Sequence, residues 1–340
     1  MIVLPSFKVL LIGPEGIVFG KCNHLYIQSD GEITHFSTLP MSLFERIAVK
    51  FHLLSRFLRL GIHHLVADGV GGYYCVYNKM CIRLSSRGDV IGKPVRLVGG
   101  RPLKVDVFEN KLIYGEYRSN EERSPVSVWS FDGKVNVSLF SLEGPRHIHA
   151  VKTVCEQVYF STGDYGNEAG IRVWDGKDIK TLFEGTQQFR AVDFEVMGNA
   201  ILYGTDTPLE QNYIYLFSAS GETEKVQKVS GSVFYMSNQA GFIWLATAVE
   251  PSKYNTHRSV ELWCCSRENL RDWVLVDEFK KDIWPMKLFQ YGQIQFPYIY
   301  DDSQTGVWFY LFGTKRSGSS IQLNNNDVSK KIDSVGNRKD

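Results

Sequence analysis

Long apolar runs are missing from this chain. No stretch of about 18 apolar residues occurs, so no transmembrane helix is expected. An excess of charge is missing as well: Lys+Arg 38 stand against Asp+Glu 37, a formal net charge of +1. That balance argues against nucleic acid or an anionic membrane as the principal partner, since both draw on a basic excess. Cysteines at metal-ligand spacing are absent. Cys22, Cys75, Cys81, Cys155, Cys264 and Cys265 include no CxxC pair, so no structural zinc is expected. At this length they read as reduced thiols of a cytoplasmic protein rather than a disulfide framework. The first residues, Met1 to Leu11, have no basic segment ahead of their apolar part and no small-residue cleavage site. They read as a strand, not a signal peptide.

What is present is a globular composition with 44% hydrophobic and 22% charged residues. Aromatics at 13% and 30 glycines favour many short strands joined by tight turns. Helical periodicity is confined to 42–60. There Leu43, Phe44, Ile47, Val49, Phe51, Leu54, Phe57 and Leu58 recur at three- and four-residue steps, with Ser42 as N-cap and Gly61 as stop. Its apolar face is expected to pack on the side of the main domain, although its basic residues also fit a membrane-surface helix.

Elsewhere the chain repeats. A β-rich run returns at Val9, Leu65, Val105, Val151, Val192, Phe234 and Leu288. Each is followed by a second strand, a loop, a third strand, a turn such as Asp132-Gly133 or Asp175-Gly176, and a fourth strand. Four strands in about 40–45 residues, repeated about seven times, predict an all-β fold, a β-propeller. Seven four-stranded blades over residues 1–316 are expected, with six as the alternative and 42–60 as a peripheral helix. The last unit shows three good strands, and the N-terminal run 1–7 is expected to supply its fourth and close the fold. Residues 317–340 read as a polar, disordered tail.

In a propeller, the loop into the innermost strand and the loop after the second strand open on one face. At the first position stand Arg101, Arg146-His147-Ile148-His149, Gln187-Gln188-Phe189-Arg190 and Trp284-Pro285. At the second stand Glu116-Tyr117, Asp164-Tyr165, Asp206 and Glu250. Arginines that share a pocket call for an anion, and their forked donors fit a carboxylate. Tyr117, Tyr165, Phe189 and Trp284 offer flat faces for sugar rings. The expected ligand is therefore an acidic sugar within an oligo- or polysaccharide, bound by Arg101, Arg146, Gln188, Arg190, Glu250 and Trp284. No cofactor is expected. His147 and His149, two apart on a strand, offer the minority alternative of a divalent metal.

Several segments resemble, as a set, bacterial BNR-repeat, sialidase-like propeller proteins associated with polysaccharide loci. They are Gly100-Arg101-Pro102-Leu103, Tyr114-Gly115-Glu116-Tyr117, Arg146-His147-Ile148-His149, Thr162-Gly163-Asp164, Gln187 to Val192, and Gly204-Thr205-Asp206-Thr207-Pro208 with Gln211-Asn212-Tyr213. The repeat's turn motif is degenerate at Ser266 to Trp273. The resemblance implies an arginine triad at Arg101, Arg146 and Arg190, a Tyr117–Glu116 nucleophile pair and Asp164 as acid/base. Three functions follow. A glycosidase would draw its carboxyl pair from Glu116, Asp164, Asp206 and Glu250. A lyase acting on a uronate would use His147, His149 and Tyr117. A carbohydrate-binding or scaffold propeller would use the same site without turnover.

Overall fold

Short runs of branched and aromatic residues, cut by Gly, Asn and Asp turns, pair as antiparallel meanders. The structure, a computed structural model, describes residues 1–302, 304 and 306–336, with side chains through Lys331. The fold is a β-propeller of about seven four-stranded blades. Residues 8–38 supply four strands of their own, Lys8–Gly13, Gly16–Lys21, His24–Ser29 and Glu32–Thr38, which favours seven blades over six. By its internal contacts the chain divides into two compact units, one of residues 1–21, 28–31 and 194–340, the other of 22–27 and 32–193.

The 32–193 unit contains three complete meanders. They run Ile62–Ala67, Tyr73–Tyr77, Met80–Leu84, Val90–Arg96; then Val105–Phe108, Lys111–Gly115, Val126–Phe131, Asn136–Leu142; then Ile148–Val154, Gln157–Thr162, Gly170–Trp174, Ile179–Glu184. Middle strands such as Tyr73–Tyr77 and Gly170–Trp174 are buried along their whole length, while Val90–Arg96 is largely exposed. The last two meanders share a core of Ile113, Val126, Val128, Ile148, Val151, Val158, Phe160 and Trp174. A fully buried side chain such as Phe160 contributes about 2–3 kcal/mol by leaving water. Asp132 and Asp175 close the expected turns, each accepting two backbone N–H groups.

Two details of this repeat position the site. A β-bulge opens inner strands near their start, at Val9/Leu11, Ile62/His64, Ile148/Ala150 and Val233/Tyr235. His149 is the residue left over in its own ladder, and a bulge re-aims such a side chain. The second strand also ends in a glycine where the next inner strand begins. A Cβ on Gly115 would stand 2.4 Å from Ile148, and one on Gly204 2.5 Å from Val233.

The helix expected over 42–60 is two short helices, Leu43–Ala48 and His52–Leu58. Ser42 and Glu45 form a reciprocal capping box at the first N-terminus. Phe51, extended at φ −102°, interrupts the helical run, and Arg59 in the left-handed region ends it. The burial is inverted relative to expectation: Arg56 faces inward while Phe44, Phe51 and Phe57 are exposed.

In the other unit, Val233–Gln239, Phe242–Val249, Ser259–Ser266 and Val274–Lys280 form one meander. The last blade consists of Gly292–Gln295, Gly306–Phe312, Ser319–Asn324 and, as expected, the N-terminal strand Ile2–Pro5. The expected disordered tail is therefore corrected. Ser319–Asn324 pairs on both edges, and helix Asn325–Gly336 follows with Val328 buried in the core. Residues 337–340 lie outside the described residues. The degenerate turn motif keeps its Ser and Trp in working positions: Ser266 Oγ accepts the Glu268 N–H, and Trp273 is buried.

Candidate functional site

The bulge at His149 turns two imidazoles of one strand end toward each other. His147 Nε2 and His149 Nε2 stand 2.9 Å apart. His149 Nδ1 lies 3.0 Å from the Ala191 carbonyl. That oxygen can only accept, so Nδ1 carries a proton and donates to it. The loop after Gln157–Thr162 brings in the third group. Asp164 Oδ1 is 3.4 Å from His147 Nε2 and 3.5 Å from His149 Nε2. The loop is fixed by its backbone. Gly163 (φ +76°) donates its N–H to the His147 carbonyl, and a Cβ there would strike Glu168 at 2.1 Å.

Two guanidiniums complete the set. Arg146 Nη1 reaches Asp164 Oδ2 at 3.1 Å, and Arg190 Nη2 reaches Oδ1 at 3.3 Å. Arg146 also pairs with the exposed Glu121 at 2.7 Å. The Tyr117 ring, partly open to solvent, lies 4.4 Å from the His147 ring and 6.2 Å from that of His149. His147, His149 and Asp164 are themselves buried. Burial opposes ionisation of Asp164, but hydrogen bonds and charge from His147 and His149 outweigh it and hold the carboxyl far below the usual carboxylate range. Burial lowers the His147 pKa, with Asp164 acting against it. The three buried donors lie within 4.8 Å of one another, a set able to hold a metal ion.

The structure thus brings together Tyr117, Arg146, His147, His149, Asp164 and Arg190. Other expected residues of the same unit stand differently. Asp164 is held towards its ionised form by His147 and His149, against the protonated form that a general acid needs. Glu116 is turned elsewhere, its carboxylate bound by Arg118 Nε at 2.9 Å and the Trp129 indole at 2.8 Å. Gln187, not Gln188, reaches the loop, donating to the Asp164 carbonyl at 2.8 Å. Of the three expected arginines, Arg146 and Arg190 are the two that pair with Asp164. Sequence reasoning also missed Glu168, whose carboxylate receives the Arg146 N–H and Arg123 Nε, and the Lys104–Asp193 ion pair.

Asp206, Glu250 and Trp284 belong to the other unit. Asp206 is buried in a loop tied by Asn212, whose amide bonds Thr205, Thr207 and Asn255. Glu250 accepts the Ser232 hydroxyl at 3.1 Å. Trp284 packs on Phe289 with ring centroids 5.4 Å apart.

No family model matches the sequence, and no curated protein matches it. Solved structures do. The WD40 β-propeller domain of Doa1 superposes with a TM-score of 0.56 at 13% identity, over 93% of this chain and 92% of that one. The computationally designed Ika8 protein gives 0.54 at 10% identity over 94% and 96%. The extracellular domain of the putative one component system BT4673 from B. thetaiotaomicron gives 0.55 at 12% identity, over 93% of this chain and 38% of that one. At these identities the likeness establishes the fold, and the chain is a β-propeller.

Proposed function

We propose that the cluster around Asp164 binds the carboxylate of an acidic sugar, and that the protein eliminates across a uronate in an acidic glycan. The observation that carries this reading is the convergence of two guanidiniums and two imidazoles on one buried carboxylate. Arg146 and Arg190 both turn guanidinium nitrogens to Asp164, and Arg146 also holds the exposed Glu121 carboxylate, a place that a ligand carboxylate would take. The motif set resembling BNR-repeat, sialidase-like propellers points to the same ligand class. Six free cysteines support a reducing, cytoplasmic setting.

Elimination fits these residues better than hydrolysis. A glycosidase needs two carboxyl groups, one of them protonated, whereas Asp164 is held towards its ionised form and Glu116 is bound by Arg118 and Trp129. For elimination, Arg146 and Arg190 would neutralise the uronate carboxylate and so acidify its α-proton. An imidazole Nε2 of the His147–His149 pair takes that proton. The electron pair forms the ring double bond, the glycosidic C–O bond breaks, and the Tyr117 phenol supplies a proton to the leaving oxygen.

The test is incubation with uronate-containing oligosaccharides while ultraviolet absorbance and reducing ends are followed together. The reading expects both to rise, and both to be lost in His149→Ala. New reducing ends without absorbance would replace elimination by hydrolysis, and tight binding with neither signal would make this a carbohydrate-binding propeller. A second reading has its own support. Nε2 of His147, Nε2 of His149 and Oδ1 of Asp164 are 2.9, 3.4 and 3.5 Å apart. Donors about 2.0–2.1 Å from a tetrahedral ion stand roughly 3.3 Å from each other. Elemental analysis of the purified protein decides it: one divalent ion per chain, absent from His149→Ala, would establish the metal.

A further inference from the structure

The balanced charge of the whole chain conceals one local imbalance. The two helices Leu43–Ala48 and His52–Leu58 present Leu43 at 72% exposure, Phe44 at 63%, Ile47 at 49%, Phe51 at 60%, Leu54 at 38% and Phe57 at 50%. Phe44 and Ile47 stand three apart on one face of the first helix, Leu54 and Phe57 three apart on one face of the second, and Phe51 lies at the break between them. Scattered exposed apolar residues are ordinary, but six large ones within fifteen positions form a patch of the kind that marks an interaction site. The inverted burial sharpens this. Arg56 of the second helix is only 2% exposed, while the neighbouring Phe57 is half exposed. These segments therefore turn apolar side chains outward.

The charge around the patch has one sign. Arg46, Lys50 and Arg59 are exposed and make no ion pair among the described residues. The single acid of the stretch, Glu45, is engaged by Ser42 in the capping box and by the Asn78 amide at 2.7 Å. His35 lies beside His24, with ring centroids 5.5 Å apart. After burial, charge from His35, Arg46 and Lys50 lowers the His24 pKa, so these groups lie close together. Arg46 and Lys50 thus cluster at the helix pair, neither of them in an ion pair among the described residues.

We propose that the 43–59 helix pair docks this protein on an anionic lipid bilayer. Phenylalanine, leucine and isoleucine would sink into the boundary between headgroups and acyl chains while Arg46, Lys50 and Arg59 meet lipid phosphates. This is the division of labour of an interfacial amphipathic helix. The charge complementarity chooses lipid over a second copy of the chain, whose identical cations would repel these. The residues are separate from the Asp164 cluster, so the proposal stands or falls without the reading of that site.

The experiment is flotation of the full chain with vesicles of phosphatidylcholine alone and of phosphatidylcholine with phosphatidylglycerol, at low and high salt. The expected result is flotation with the anionic vesicles, little with the neutral ones, and release by salt. Phe44→Ser/Phe51→Ser and Arg46→Glu/Lys50→Glu should each weaken binding at least about tenfold. Their unfolding midpoints should stay at the wild-type value, because every altered side chain is exposed. Absence of the wild-type protein from the anionic vesicles overturns the proposal, and so does wild-type flotation by both variants. A dimer in sedimentation that Phe44→Ser/Phe51→Ser dissolves, with no vesicle binding, would assign the patch to a second copy instead.

Discussion

The loop after a blade's second strand carries Gly163-Asp164 in one unit and Thr205-Asp206-Thr207 in the other. In the second, Asn212 uses all its hydrogen-bonding capacity at 2.8–2.9 Å: Oδ1 accepts from Thr205 and Thr207, and Nδ2 donates to Thr207 and Asn255. The Asn212 amide is thus short-bonded and fully matched, although the neighbouring Asp206 carries a buried carboxyl. Around Asp164 the bonds to Arg146, Arg190, His147 and His149 run from 3.1 to 3.5 Å, long for charge-assisted pairs. Arg146 Nε, moreover, is buried without a hydrogen-bond partner. The Asn212 network is matched by the protein itself, whereas the Asp164 network is slack and charged, as sites often are before their ligand tightens them. The loop after the second strand is thus held by a neutral amide in one unit and by charged groups in the other.

The sharpest way to break that contrast is to remove a charge from the slack network. Arg190→Ala should weaken binding of an acidic oligosaccharide by about a hundredfold, since it removes a buried ionic partner of the ligand. Stability should change by less than about 1 kcal/mol, because Asp164 keeps Arg146 and both histidines. Calorimetric titration beside thermal unfolding measures both. A large loss of stability with binding intact would make the cluster scaffold after all.

Asn212→Ala makes the opposite test. It leaves Thr205, Thr207 and Asn255 with buried polar groups unmatched, at a cost of about 3 kcal/mol. Denaturant unfolding should show that loss while oligosaccharide binding by the other unit persists. Gly115→Ala comes next. The added methyl would stand 2.4 Å from Ile148, next to the start of the histidine strand. Overpacking there should cost about 1–3 kcal/mol. An unchanged unfolding midpoint would mean that the strand end yields easily.

The repeat could be read from the sequence because four-strand spacing, Asp-Gly turns and buried middle strands are local features. The corrections arise where local rules stop. Glu116 and Tyr117 are adjacent just past a strand end, and Glu116 is held by Arg118 and Trp129 while the Tyr117 ring lies against His147. Gln187 replaces Gln188 because Gln187–Phe189 is a 3₁₀ turn, where strand alternation does not apply. Ser319–Asn324 looked like tail because one of its two partner strands, Ile2–Pro5, lies more than 300 residues away in sequence. The 42–60 pattern revealed which residues share a face but not whether that face meets core or solvent.

The smallest effect belongs to a balanced ion pair, which calibrates the unbalanced cluster. Asp68 is buried and accepts from Val70 N–H at 2.9 Å, Gly72 N–H at 2.7 Å and Arg83 Nη2 at 2.7 Å. Burial pushes its pKa up, but the Arg83 hydrogen bond and the two backbone donors outweigh that and bring it below the usual aspartate value. A carboxyl lowered in the folded state adds stability that is present above its unfolded pKa, near 4. That contribution is lost as pH falls through the lower folded value. Asp68→Asn keeps the acceptor for the backbone donors and loses the charge facing Arg83. It should cost about 1 kcal/mol at neutral pH, and the difference from wild type should shrink below about pH 4. A difference that stays constant down to acid pH would show that Asp68 acts through shape and hydrogen bonds alone, and a one-to-one pair would then be a poor measure of what charge does at Asp164.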